Sequence, residues 1–197
     1  MSRTITDTRT RILDSAWKTL EDDPGASVRM ADIAKRAGIS RQALYLHFPA
    51  RAELLIATTR YIDEIKQIDE RLAASRNAET GIDRLNAYID AWGNYIPEIQ
   101  GVARALLAMQ DSDAAAKLAW DDRMGAVREG CAAAIRALRN DGVLSDDYTL
   151  DQATDILWAL LSVRQWELLT ETCGWSQAQY IALTKTIAQR SLLQNQS

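Results

Sequence analysis

The chain has 197 residues, 47% hydrophobic and 25% charged, with 3 Pro and 9 Gly, a globular composition that excludes disorder and fibrous repeats. Its net charge of −4 hides a division: residues 1–60 hold ten Lys/Arg against seven Asp/Glu, and residues 61–197 hold thirteen against twenty. The longest apolar stretch, residues 156–163 with Ser162 inside it, is less than half of what a bilayer-spanning helix needs. No apolar run follows the early arginines Arg3, Arg9 and Arg11, so the chain is expected in the cytoplasm and away from membranes.

Nearly every segment repeats its apolar residues at helical period and none alternates β-branched residues, so the chain reads as all-α. Residues 8–20 place Ile12, Leu13, Ala16, Trp17 and Leu20 on one face, and Asp22-Asp23-Pro24-Gly25 stops that helix. A second helix over residues 30–37 ends at Gly38, a third is capped by Ser40 and closes before Pro49, and a long fourth spans 51–74. Residues 81–96 form the next, followed by one with Pro97 in its first turn that reaches 109, then one over 114–139 ended by Asn140-Asp141-Gly142. Two late helices, about 149–173 and 176–193, open with capping boxes, Thr149 with Gln152 and Ser176 with Gln179. Residues 156–161 are apolar on nearly every side and so need cover from two directions, their own domain and a second subunit.

The informative stretch is Met30 to Phe48. Ile33, Ala34 and Ala37 form the inner face of one helix, Gly38 supplies the turn, Ile39 plugs the corner, and Leu44 with Phe48 packs the next helix back. Ala34 is small where two steeply crossing helices approach most closely, and Gly38 suits a positive φ. This spacing makes a helix-turn-helix, whose second helix presents its first residues to the major groove. Those residues are Arg41, Gln42 and Ala43, with Tyr45 one turn on.

The run from Asp32 to Leu55, with Gly-Ile-Ser, Leu-Tyr-x-His-Phe and then Glu-Leu-Leu at fixed spacing, resembles the N-terminal domain of the TetR family of transcriptional regulators. The resemblance implies an N-terminal three-helix DNA-binding domain over residues 1–55 and a larger helical effector-binding and dimerisation domain over 56–197. It places Arg41 and Gln42 at bases, and Tyr45 and His47 at phosphates along the groove edge, beside Ser40 and Ala43. Arg51 stands where the family commonly has Lys and is expected to keep a phosphate contact. Arg29 stands where a Ser or Thr commonly caps helix two; the cap is expected at Ser27, which leaves Arg29 for DNA. Lys35 and Arg36 read as solvated surface.

In the larger domain, an apolar ligand cavity is expected near Trp92, Leu106, Met109, Trp120 and Met124, against the alternative of an ordinary aromatic-rich core. A two-fold seam is expected from the last two helices, through Leu157, Leu161, Arg164, Leu168, Tyr180, Leu183 and Ile187. Arg164 reads equally as a buried ion-pair member, an anchor for an anionic ligand or a rim residue of that seam. The resemblance thus implies a homodimer that reads a pseudo-palindrome in double-stranded DNA and, as a repressor, is released by a small apolar or aromatic effector; an activator or corepressor-dependent regulator shares the same sequence features. A helical interaction protein is the rival of another class. An enzyme is disfavoured, since the one histidine sits in the motif and the adjacent aspartates at 22–23, 121–122 and 146–147 diverge on a helix. Cys131 and Cys173 lack neighbouring metal ligands, so no metal or cofactor is expected.

Overall fold

The computed structural model describes residues 2–22 and 28–194. Eleven α-helices lie in these residues: α1 Ser2–Asp22, α2 Met30–Arg36, α3 Arg41–His47, α4 Arg51–Ile65, α5 Ile68–Arg71, α6 Ala73–Arg76, α7 Gly81–Met109, α8 Ala114–Asn140, α9 Leu150–Leu160, α10 Val163–Glu167 and α11 Gln177–Leu192, with a π-helical turn at Leu168–Thr172. No strand occurs among the described residues; one isolated bridge joins Leu144 and Leu193. The protein is all-α. The expected turn at residues 23–25, the Ser27 cap and the C-terminal residues 195–197 lie outside the described residues.

Two compact units form: residues 1–66 with 99–124, and residues 67–98 with 125–197. In the first, the apolar face of α1 is buried at Ile12, Leu13, Ala16 and Leu20. Trp17 meets Tyr61 of α4 edge to face at 6.5 Å, and the Tyr61 hydroxyl donates to Asp14 at 2.9 Å. Burial and that carboxylate push the Tyr61 phenol up to about 12, so the hydroxyl stays a donor throughout the neutral range. In the second unit, the amide of Gly81 donates to Asp141 Oδ2 at 2.6 Å, and a Cβ on Gly81 would stand 2.6 Å from the Leu138 backbone nitrogen. Only glycine lets the start of α7 approach α8 this closely.

Three helix boundaries differ from the sequence expectation, each for a local reason. The helix expected over 51–74 stops at Ile65, because Gln67 takes a left-handed conformation (φ 56°) and redirects the chain into α5 and α6. Neither Gly nor Pro marks the spot, and positive φ is uncommon for such a residue. The break expected at Pro97 is absent, and α7 runs through it. Proline removes the donor that would serve the carbonyl four residues back; that carbonyl, Gly93 O, instead accepts from Gln177 Nε2 at 2.9 Å. Gln177 Oε1 in turn accepts from the Trp166 indole at 2.8 Å. The helix expected over 149–173 breaks after Leu160: Ser162 caps α10 by accepting from the Gln165 amide. The Leu161 carbonyl accepts from the Trp92 indole at 2.8 Å. Both late capping boxes form as read, at Thr149 and Ser176.

Candidate nucleic-acid interface

The turn between α2 and α3 follows from its sequence. Gly38 adopts φ +67°, which lets the Ile39 amide donate to Ala34 O and the Gly38 amide to Lys35 O. These bonds use carbonyls that the end of α2 leaves open. Ile33, Ala34, Leu44 and Phe48 are buried behind the turn. Ser40 caps α3, its hydroxyl accepting from the Ala43 amide at 3.1 Å.

On the outer side, Arg41 and Gln42 are exposed and Ala43 is half-buried. Tyr45 is 40% exposed and the Arg41 guanidinium stands 5.9 Å from its ring centre, so the two form one surface element with a cation beside an aromatic face. His47 is half-buried, and its carbonyl accepts from Arg9 at 3.5 Å. The Arg9 guanidinium lies 4.3 Å above the Phe48 ring. Arg29 is the N-terminal flanking residue of α2, exposed and without a side-chain cap bond. Arg36 is paired with Asp22 at the surface.

Arg51 has a different setting. Its Nε donates to the Val28 carbonyl at 2.5 Å and its Nη1 pairs with Asp113 at 2.5 Å. Asp113 also caps α8, accepting from the amides of Ala115 and Ala116. Burial pushes the Asp113 carboxyl up, but the Arg51 hydrogen bond and the two amides outweigh it and hold the group below its ordinary range. Arg51 thus fastens the start of α4 both to the residue entering α2 and to the start of α8.

Two more pairs join α4 to α8, Arg60 with Asp122 at 2.7 Å and Asp63 with Arg123 at 3.0 Å. Arg60 and Asp122 are 62 residues apart, as are Arg51 and Asp113, so α4 and the start of α8 run in step in the same direction. Of these two pairs only Asp63 and Arg123 are well shielded, each side chain 14% exposed. Beside them lies a small, partly open cavity, walled by Thr59 and Ile62 of α4, Val102, Ala103 and Leu106 of α7, and Trp120 of α8, with Asp63 and Arg123 at its polar edge. Of the expected cavity residues it gathers Leu106 and Trp120. Met109 and Met124 are buried but do not line it, and Trp92 belongs to the other unit.

The expected seam residues divide. Leu157, Leu161 and Tyr180 are buried within their own chain, whereas Leu168 is 55% and Leu183 36% exposed. Arg164 is exposed and Ile187 half-buried. Asp113, Asp63 and Arg123 are not among the residues that the sequence alone singles out. Asp113, immediately before the alanines that open α8, carries a legible cap signal; its pairing with Arg51 has no local signature.

A glycine turn between two short helices, the second capped and facing outward with Arg41, Gln42 and Tyr45, defines a helix-turn-helix domain. Residues 12–58 match the family model for bacterial regulatory proteins of the tetR family. The nucleoid occlusion factor SlmA of Marinomonas sp. (strain MWYL1) is 41% identical over 64 residues, 32% of this chain and 32% of that protein, so this likeness spans about a third of the relative's length. The HTH-type transcriptional regulator CymR of Pseudomonas putida is 28% identical over 169 residues, 79% of this chain and 75% of that protein. A protein of Saccharomonospora viridis, solved in complex with choline, shares the fold at a TM-score of 0.73 and 20% identity, covering 96% of this chain and 100% of that one.

Proposed function

We propose that the chain is a sequence-specific DNA-binding transcriptional regulator that works as a homodimer in the cytoplasm and represses until a small apolar or aromatic ligand releases it. The observation that carries this reading is α3: a capped helix with Arg41, Gln42 and Tyr45 outward, set in the basic third of an acidic chain. A residue-by-residue assignment follows. Arg41 and Gln42 meet base edges at the start of the helix with Ala43 close to them, while Ser40, Tyr45, His47 and Arg29 meet the backbone. Arg51 serves as a positioning residue that holds α4 against α2. A second copy covers Leu168 and Leu183, with Arg164 and Ile187 beside them. Among the described residues no helix is long and apolar enough to cross a membrane. Among the same residues, no group of three or more His, Cys, Asp or Glu is placed to hold a metal ion.

The cavity supports the ligand half of the reading. Its walls are apolar apart from the Thr59 hydroxyl and the Asp63 and Arg123 edge, the composition of a site for a small apolar molecule with one polar group. The choline complex is of a protein with this fold. A ligand that spreads α4 from α7 and α8 acts at the same helix whose first residue holds Val28. By linkage, a ligand that binds better to the spread arrangement lowers DNA affinity by the same factor that DNA lowers its own.

Fluorescence anisotropy of a labelled duplex tests the electrostatic part. Raising NaCl from 50 to 200 mM is expected to weaken binding by at least about a hundredfold, since several phosphate contacts release counterions. A response flat in salt contradicts contact through the basic α3 surface.

A further inference from the structure

Leu46 is 82% exposed, the most exposed large apolar side chain among the described residues. It sits two positions after Leu44 and two before Phe48, both buried. At about 100° per residue, two steps from each anchor carry it to the side of α3 opposite the core. Gln42, one turn earlier, is exposed on the same side. The most outward point of the reading helix is therefore an alkyl group, with a polar amide one turn toward the N-terminus. No described residue of the domain covers it.

The floor of the major groove offers one apolar group, the C5-methyl of thymine; its other edge groups are donors and acceptors. Pressed against guanine O6 and N7, adenine N6 and N7 or cytosine N4, a leucine strips water from polar atoms and returns no hydrogen bond. Against the thymine methyl both partners leave water at a gain. We infer that Leu46 is a specificity-determining residue that reads a thymine methyl group in each half-site, an inference that rests on the DNA-reading function proposed above. Arg41 and Tyr45 lie to one side of Leu46 and His47 to the other, so the charged and aromatic groups flank the leucine while it reaches the groove floor.

The test uses the full chain and a duplex enriched by it from random-sequence DNA. Each thymine of that duplex is replaced in turn by deoxyuridine, which deletes the methyl and keeps every hydrogen-bonding group. At one position per half-site the replacement is expected to weaken binding about fourfold, the worth of one buried methyl. The Leu46→Ala protein is expected to bind the thymine and uridine duplexes equally. Alanine is the best helix former and the site is exposed, so α3 persists, and an unchanged thermal melt confirms it. If an enriched sequence exists but no uridine weakens binding, or if the loss persists in Leu46→Ala, the inference about Leu46 is overturned while DNA reading stands. If no sequence is enriched, both fall.

Discussion

Replacing Arg41 and Tyr45 together by Ala is expected to lower affinity for the selected duplex by more than about a hundredfold and to leave the melting temperature within a few degrees. The first part follows from position. Both side chains lie on the exposed face of α3, the guanidinium 5.9 Å from the phenol ring centre, and a good bidentate base contact alone is worth about 1–3 kcal/mol. The second part follows from exposure: Arg41 is exposed and Tyr45 is 40% exposed, while Leu44 and Phe48 hold the helix down and stay intact. Anisotropy and calorimetry of the same preparation separate the two effects. Unchanged affinity in the double variant removes α3 as the reading element; lost affinity with a collapsed melt means the residues hold the domain together instead.

The second large effect is expected at Asp113. Asp113→Ala removes the partner of Arg51, whose side chain is 22% exposed against 16% for the aspartate, and it uncaps α8. Stranding a largely buried charge costs about 3 kcal/mol, and the melting temperature is expected to fall by about 10 °C. The sign of the pH dependence follows from the lowered carboxyl pKa. Its stabilisation is fully present above the ordinary aspartate value near 4 and is lost as pH falls through the depressed folded value. Denaturant titrations at pH 6 should therefore separate wild type from Asp113→Asn, and the gap should close in strong acid. Equal stability at pH 6 would show that the Arg51 link contributes nothing.

Short-range signals made much of the reading unit legible. Gly38, the Ser40 cap and the small Ala34 each constrain a few neighbouring dihedrals, and the structure forms the turn they specify. The late capping boxes are equally local. What sequence did not reveal depends on partners far along the chain. Pro97 reads as a helix break until Gln177 is seen to satisfy Gly93 O. Gln67 reads as helix because nothing local demands its left-handed backbone. Ser162 was legible in principle as a cap with Gln165 three residues on, but the apolar run around it masked the signal. Likewise Arg51 reads as a phosphate contact at a helix start, and only the fold brings Asp113 to it. Leu46 carries no local signal of its own, since an apolar residue in a DNA-facing helix offers neither charge nor hydrogen bond.

The most direct measurement of the central claim is selection of bound fragments from random-sequence duplex DNA by the purified chain, followed by sequencing. A dimeric reader is expected to enrich a pseudo-palindrome whose half-site centres lie about one helical turn apart, roughly 10 base pairs, or a multiple of it. The same random pool recovered without enrichment, before and after unfolding and ligand-free refolding, would contradict the assignment of α3 as a sequence-reading helix.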